Sequence, residues 1–333
     1  MAEIRIAFDA MGGDYAPAEI VKGAVEAANN NPDVKMILVG DQDAIKNELT
    51  GLTYNKDQVT IKHASEVITC EEAPVAAVRS KKDSSLVVAA KMLKTGEADA
   101  MISAGSTGAV LVGGQLMAGK IRGIKRAPLA TMFPNVKGAS LLLDCGANVD
   151  ARPEHLVQFA KMGTIYLEHV VGVKNPKVGL VNIGVEEEKG NALVKETYPL
   201  LKETEGINFG GYVEARDVFD GEFDIILAEA FVGNVILKEA EGLANTIVKL
   251  LKQGLMSNLR SKMGAALAMP AIKETLKVFD ASEYGGAPLL GLNGLVVKMH
   301  GNSTAKEVQA AVRQCINFKE QGINDKIREQ FKK

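Results

Sequence analysis

Short apolar runs rich in Val, Ile, Leu and Ala alternate with helix-length amphipathic segments along almost all of this 333-residue chain. The strand-like runs lie at 4–9, 35–40, 59–64, 99–104, 140–145, 177–183, 223–228 and 294–301. Few of them alternate apolar and polar residues, which is typical of parallel strands buried on both faces. The pattern therefore predicts an α/β protein with three layers, α/β/α, around a mostly parallel sheet. Neither an internal repeat nor a Pro/Ser-rich linker divides the chain, so we predict a single domain over residues 1–333.

Residues 239–280 depart from this alternation, because they are almost entirely helical in pattern and contain no strand-like run. We predict that they form a helical hairpin that projects from the domain, with its turn between Gly264 and Pro270. An apolar stripe recurs at helical spacing on the first predicted helix, at Leu243, Ile247, Leu250, Leu251 and Leu255. Such a stripe fits either a dimer contact or packing on the domain itself.

Charge and composition exclude several classes of protein. Lys and Arg number 39 against 41 Asp and Glu, so the net charge of -2 offers no overall field for nucleic acid. The three cysteines form no CxxC pair and the four histidines are scattered, which argues against structural zinc and for reduced, buried thiols in the cytoplasm. No signal-peptide pattern and no uninterrupted apolar stretch long enough for a membrane span is present. We therefore expect a cytoplasmic protein with neither a nucleic-acid partner nor a bound metal.

Glycines and small polar residues cluster where the strand-like runs end. The residues with this placement are Asp9, Gly12 and Gly13; Gly105, Ser106, Thr107 and Gly108; Asp144 and Asn148; and His300, Gly301, Asn302 and Ser303. Ligands of parallel α/β sheets bind at this edge, and glycine loops that lead into helices bind anions through backbone N–H groups. Because neither GxGxxG nor GxxxxGK[ST] occurs, the loops favour phosphate or another small oxyanion over a nucleotide. We expect Gly105–Gly108 and His300–Ser303 to bind phosphate, although His300 fits a buried structural role equally well.

The carboxylates at these strand ends have two interpretations. Asp9, Asp14, Asp144 and Asp150 could hold a metal ion through oxygen ligands, or could cap helices and orient the glycine loops. The second interpretation is the more common one for Asp beside Gly.

Two further residues stand out at the starts of predicted helices. Lys189 opposes the positive end of a helix dipole, so it is poorly placed for stability and well placed beside an anion. Glu186–Glu188, just before it, have the pattern of a solvated loop. Asn234 could serve as an N-cap or could point its amide N–H at a developing oxyanion.

These segments together resemble one family, the phosphate acyltransferases of bacterial phospholipid synthesis, which transfer acyl groups from acyl carrier protein to phosphate. The motifs that carry the resemblance are FDAMGGDYAP, PVAAVRSKKDSSL, ISAGSTGA, LLLDCGANVDARPEHLVQFA, VGLVNIGVEEEKGN, VEARDV, FVGNVILK, YGGAPLLGL and HGNS, which cover almost the whole chain in order.

The resemblance implies a single catalytic domain with a fold like those of phosphotransacetylase and the isocitrate/isopropylmalate dehydrogenases. It implies a homodimer that moves a long-chain acyl group from acyl carrier protein to inorganic phosphate without any cofactor. The acyl phosphate would serve phosphatidic acid synthesis at the membrane, where a glycerol-phosphate acyltransferase is an expected partner. Lys189 and Asn234 lie on motifs thought to be catalytic in that family.

Two surfaces follow from this expectation. An acidic carrier protein needs a basic patch, for which the candidates are Arg79, Lys81 and Lys82, and Arg260 with Lys262. The predicted hairpin turn is apolar and flanked by basic residues, so we expect Leu267 and Met269 to anchor the protein peripherally on a membrane.

Two alternatives remain open from the sequence. One is a metal- and NAD(P)-dependent dehydrogenase on the similar fold, and the other is a non-enzymatic membrane scaffold for lipid enzymes.

Overall fold

The protein is described by a computed structural model over residues 3–277 and 285–332. The strands in chain order are β1 (Ile4–Asp9), β2 (Val34–Gly40), β3 (Val59–His63), β4 (Ala100–Ser103), β5 (Ala130–Asn135), β6 (Gly138–Leu143), β7 (Lys177–Asn182), β8 (Asn208–Glu214), β9 (Ile225–Leu227), β10 (Ala287–Leu289) and β11 (Leu295–Lys298). The helices are α1 (Ala18–Asn30), α2 (Gln42–Leu49), α3 (Pro74–Ser80), α4 (Ser85–Thr95), α5 (Thr107–Met117), α6 (Pro153–Tyr166), α7 (Ala192–Glu203), α8 (Ala230–Leu255), α9 (Leu259–Lys277), α10 (Ala305–Glu320) and α11 (Ile323–Gln330). These elements fall into two compact units.

The first unit consists of Met1–Thr131, Ile165–Lys174 and Ser282–Lys333. Its six-stranded sheet has the order β10-β11-β4-β1-β2-β3, and its pairings are parallel except that of β10 with β11. The helices pack as two groups, α1 with α2 and α10, and α5 with α3 and α4. Ile6, Ala7 and Phe8 on β1 are completely buried, so successive side chains on both faces of this strand are covered.

The second unit consists of Met132–Thr164 and Asn175–Ala281. Its five-stranded sheet has the order β5-β6-β9-β7-β8, in which β6, β9, β7 and β8 run parallel. Consecutive residues of β6 and β9 are buried, as expected of strands covered on both faces.

The sequence predicted the fold class correctly, and each of the eight predicted runs overlaps a strand. The mostly parallel α/β architecture is therefore confirmed. The strands form two sheets, however, where the sequence indicated one, because no linker marks the division. The single catalytic domain over 1–333 stays a prediction.

The predicted turn of the helical hairpin is wrong in position. Residues 239–277 do form two helices that contact each other, but α8 ends at Leu255 and Gly264 lies within α9, as does Pro270. The chain turns at 256–258 instead, because the Asn258 side chain accepts a hydrogen bond from the N–H of Ser261 (2.9 Å) and so caps α9. Residues 278–280 of the predicted hairpin lie outside the described residues.

Candidate active site

In the first unit, a buried carboxylate organises the carboxyl ends of β1 and β4. Asp9 accepts hydrogen bonds from the hydroxyls of Ser85 (2.6 Å) and Ser103 (2.7 Å), and the N–H of Gly105 donates to the Ser103 oxygen (3.0 Å). Burial raises the pKa of Asp9, and the two hydroxyl donors oppose that rise. The side chain of Lys298, at the end of β11, is also buried and favours the ionised form of Asp9. Asp9 therefore fixes the loop that starts at Gly105.

The glycine loops of the first unit approach one another through their backbones. A Cβ at Gly12 would clash with the Asp9 carboxylate and lie 2.8 Å from the nitrogen of Gly105. Gly13 has a φ of +109°, and the next N–H, that of Asp14, donates to the carbonyl of Gly301 (2.7 Å). The structure thus brings together three of the four loops that the sequence singled out.

The remaining residues predicted to bind phosphate differ in placement. His300 and Asn302 are exposed, so the interpretation of His300 as a buried structural residue is wrong. Ser303 is buried, and its hydroxyl has no hydrogen-bond partner within the described residues. Ser106 precedes α5 and Thr107 begins it, which places backbone N–H groups at a helix start.

Helix packing explains why residue 108 is a glycine. A Cβ at this position would lie 2.5 Å from Cγ of Pro74, so the glycine allows α3 and α5 to pack closely. This packing explains the glycine without any ligand.

In the second unit, Asp144 closes its own loop after β6. The buried carboxylate accepts hydrogen bonds from the side chain of Asn148 (2.6 Å) and from the N–H groups of Gly146 (3.3 Å) and Ala147 (3.1 Å). A Cβ at Gly233 would clash with the carbonyl oxygen of Asp144, so the start of α8 lies directly on this loop. Asp144 therefore orients the loop, as the second interpretation of the carboxylates expected.

Asn234 is the fifth residue of α8, and its interpretation as an N-cap is wrong. The cap is Glu229, whose carboxylate accepts hydrogen bonds from the N–H groups of Phe231 (2.7 Å) and Val232 (2.8 Å). The Asn234 side chain is exposed and makes no hydrogen bond to any described residue. Its amide is thus available to a ligand.

Lys189 lies in the loop between β7 and α7, two residues before the N-cap Asn191. Its ammonium group forms a 2.8 Å ion pair with Glu186, and this hydrogen bond raises the pKa of Lys189 and lowers that of Glu186. The Asn182 side chain donates to the Lys189 carbonyl (3.1 Å) and holds the backbone of the loop. The Lys189 side chain remains about half exposed, at 47%. The loop therefore presents an ammonium group that stays protonated at neutral pH.

Sequence reasoning missed several members of these two clusters. Ser85 and Ser103 lie within two of the family motifs but follow no pattern that marks them as partners of a carboxylate, and Lys298 lies within an otherwise apolar run. The run of three acids predicts a solvated loop for Glu186, although its (i, i+3) spacing to Lys189 is a usable sign of an ion pair.

The candidate basic patches differ in how available their charges are. Lys81 is half-buried and forms a 2.8 Å ion pair with Glu72, so its charge is already balanced. Arg79 and Lys82 are exposed, as are Arg260 and Lys262 near the start of α9. Of the two residues predicted to anchor the protein in a membrane, Leu267 is 87% exposed and Met269 is partly exposed, but both lie within α9 rather than at a turn.

Three further properties of the described residues bear on function. Within 3–277 and 285–332, no cluster of three or more His, Cys, Asp or Glu could hold a metal ion. In the same ranges, no helix combines the length and hydropathy needed to cross a membrane. Cys145 and Cys315 are buried as expected, whereas Cys70 is exposed.

Comparisons with known proteins agree with the resemblance read from the motifs. The model of a family described as "Fatty acid synthesis protein" matches residues 4–326. A phosphate acyltransferase of Clostridium acetobutylicum is 49% identical over 326 residues, which cover 98% of this chain and 98% of that protein. A phosphate acyltransferase of Alkaliphilus oremlandii is also 49% identical over 326 residues, which cover 98% of this chain and 97% of that protein.

Solved structures of similar fold include phosphotransacetylases. That of Streptococcus pyogenes has a TM-score of 0.63 at 16% identity, and the match covers 95% of this chain and 94% of that chain. A branched-chain phosphotransacylase of Enterococcus faecalis has a TM-score of 0.56 at 14% identity, with 94% and 98% covered. At these identities the likeness shows the fold alone, and it confirms the phosphotransacetylase-like fold expected from the sequence.

The relatives decide between an acyltransferase and the two alternatives left open by the sequence. They are about half identical to this chain over nearly its whole length, and they are named for acyl transfer rather than for oxidation or scaffolding. The chain belongs to the phosphate acyltransferase family and is an acyltransferase.

Proposed function

We propose that this acyltransferase moves a long-chain fatty acyl group from acyl carrier protein to inorganic phosphate and releases an acyl phosphate. The observation that carries the proposal is the placement of the Lys189 ammonium group and the exposed amide of Asn234 at the same edge of one sheet. The two residues follow β7 and β9, which are adjacent parallel strands. A cation and an N–H donor at neighbouring strand ends are the groups that a thioester reaction with phosphate needs.

The proposed reaction is a single acyl transfer. An oxygen of hydrogen phosphate attacks the thioester carbonyl carbon, the C–S bond breaks, and the phosphate proton passes to the departing thiolate to give the free carrier thiol. In this step Asn234 donates a hydrogen bond to the carbonyl oxygen as negative charge develops there. Lys189 holds phosphate or stabilises the thiolate.

Glu186 keeps Lys189 ready for this role. The ion pair raises the pKa of Lys189, so the ammonium form is maintained throughout the neutral range. Since both side chains are about half exposed, the pair is held weakly and an incoming anion can compete for the ammonium group.

For the first unit by itself, the proposal is that its glycine loops bind phosphate. Backbone N–H groups at the start of α5, beside Ser106 and Thr107, are suited to an oxyanion, as is the Ser303 hydroxyl, which has no partner among the residues that the structure describes. The proposed acyl transfer requires neither a metal nor an organic cofactor.

The proposal extends to partners and location. The exposed residues Arg79 and Lys82, or Arg260 and Lys262, would receive the acidic carrier protein. The apolar stripe of α8 would form the contact of a homodimer. The exposed face of α9 around Leu267 would rest on the membrane, where a glycerol-phosphate acyltransferase would use the product. The protein would thus be cytoplasmic and peripherally associated with the membrane.

The test is direct formation of the product. Purified protein is incubated with palmitoyl-acyl carrier protein and phosphate, and acyl phosphate is sought by mass spectrometry. We expect Lys189→Ala and Asn234→Ala each to lower kcat about 10²-fold or more, as removal of one transition-state donor does. Lys195→Ala, at an exposed lysine on α7, is the matched control and should retain full activity. Absence of acyl phosphate with the wild-type protein would refute the proposed function, and full activity of both variants would remove these residues from the site.

A further inference from the structure

Large apolar side chains are exposed at one edge of the second unit's sheet. Ile183, which is 79% exposed, and Val185 follow β7, whereas Phe231 and Val235 lie on the first turns of α8, after β9. Val149 follows β6 and is exposed as well. We call these five residues the apolar edge.

The strand order places these residues together. β6, β9 and β7 are consecutive parallel neighbours, with Leu227 of β9 in register with Leu143 of β6 and Leu180 of β7. The loops that follow the three strands therefore leave the sheet at the same edge. Single exposed apolar residues are ordinary on protein surfaces, but several in adjacent loops indicate a binding surface.

A small cavity lies between the starts of α7 and α8, at the carboxyl ends of β7 and β9. Its volume is about 20 Å³, and its walls are mainly apolar, formed by side chains that include Leu156, Leu180, Val194 and Val232. Asn191 and Glu229, the N-caps of α7 and α8, also line it. The cavity is therefore apolar space between the two elements that present Lys189 and Asn234.

The charges around the apolar edge select its occupant. Glu186, Glu187 and Glu188 lie in the loop with Ile183 and Val185, and Glu229 precedes Phe231. Lys189 is already paired with Glu186. Glu187 in turn is paired with Lys202 (3.9 Å), so the loop from Ile183 to Lys189 offers little free positive charge to attract an anionic membrane, whereas an uncharged hydrocarbon chain needs none.

We propose that the apolar edge binds the fatty acyl chain of the donor and thereby sets the preference for long chains. This inference rests on the function proposed above, because it names the part of the substrate that lies beside Lys189 and Asn234. The first carbons of the chain would lie over the cavity, and the following ones would lie along Ile183 and Phe231.

The inference predicts a loss that depends on chain length. Ile183→Ser and Phe231→Ser are compared with wild type on butyryl-acyl and palmitoyl-acyl carrier protein. We expect kcat/KM for the palmitoyl donor to fall roughly 10-fold or more in each variant, the usual effect of one lost apolar contact in a binding pocket, and kcat/KM for the butyryl donor to change less than about 2-fold. Both side chains are exposed, so the variants should unfold at the wild-type temperature.

Val136→Ser is the matched control. Val136 is 75% exposed in the same unit but precedes β6, so it lies at the opposite end of that strand. An equal loss with both donors, or an equal loss in the control, would overturn the inference.

A second measurement separates this inference from the proposed function. Binding of a fluorescent C16 fatty acid is titrated with wild type, the two variants and the control. Weaker binding in Ile183→Ser and Phe231→Ser alone would support the chain site even if wild type formed no acyl phosphate. Equal binding in all four proteins would overturn it, even if wild type were fully active.

Discussion

Substituting Gly233 by alanine should cost this protein most of its activity through a shift of α8. The added Cβ would clash with the carbonyl oxygen of Asp144 and would lie 3.0 Å from its carbonyl carbon and 3.3 Å from Cα of Cys145. All three are backbone atoms, so no side chain can rotate out of the way. Relief requires the start of α8 to move by about 1 Å, because packed interiors have no free space to absorb a methyl group.

The consequence should be larger for the reaction than for stability. Overpacking of this kind typically lowers the free energy of unfolding by about 1–3 kcal/mol. A displacement of about 1 Å at a reacting group can cost about 10²-fold in rate, and Asn234 is the next residue on the helix. We therefore expect kcat to fall about 10²-fold while urea unfolding shows a folded protein of modestly lower stability.

Gly242→Ala, in the same helix, is the control for Gly233→Ala. A Cβ at Gly242 would meet no atom within 4 Å, so this variant should keep its activity and gain up to about 1 kcal/mol from helix propensity. Wild-type kcat in Gly233→Ala would refute the reasoning, since the helix start would then not position Asn234.

Four further predictions follow from the described contacts. Glu186→Gln removes the carboxylate that raises the pKa of Lys189, so the alkaline fall in kcat/KM should move to lower pH; an unmoved limb would contradict a role for this ion pair. Asp9→Ala leaves two buried serine hydroxyls without an acceptor and should lower the free energy of unfolding by about 2–5 kcal/mol in urea, whereas a loss below about 0.5 kcal/mol would show that the hydroxyls find other partners. Arg79→Glu should raise KM for acyl carrier protein at low salt and lose that effect near 1 M salt, where the Debye length is about 3 Å; a salt-independent KM would exclude this patch as the docking site. Leu267→Glu should abolish flotation with anionic vesicles, because burial of one leucine contributes only about 2 kcal/mol to membrane binding and a carboxylate in its place opposes burial. Equal flotation of variant and wild type would show that this face of α9 does not anchor the protein on a membrane.

The sequence predicted every central strand of the two described sheets and, of the strands at their ends, only β3. β5, β8 and β10 were missed, and each lies at an end of its sheet. β5 and β10 contain proline and β8 contains two consecutive glycines, which a central strand would not tolerate but an edge strand does. Their composition therefore lacks the pattern that predicts a strand, whereas the buried strands have unbroken apolar runs.

The sequence predicted the parts of the candidate site that depend on backbone conformation, but not those that depend on which side chains form ion pairs or hydrogen bonds. Glycine loops at strand ends mark Gly12 and Gly105, because ligand loops of parallel sheets lie there. The ion pair of Lys189 with Glu186, and the capping of α8 by Glu229 instead of Asn234, depend on competition among nearby polar groups. Gly264 and Pro270 predicted the hairpin turn at the wrong position for the same reason. The side-chain cap that Asn258 provides begins α9 before them, and the helix continues through both residues.

The order of strands in the first unit has a consequence for biosynthesis. β11 pairs with β4, yet the whole second unit lies between them in the chain, so ribosomal synthesis delivers β4 long before its neighbour. Until residues 295–298 emerge, the nascent sheet ends at β4 with unpaired N–H and C=O groups, which are a template for intermolecular pairing. The surface of α1 that packs against α10, its main helical contact in the folded unit, likewise stays uncovered until α10 is synthesised. Nascent chains released before this point should thus be vulnerable to aggregation and should depend most on chaperones.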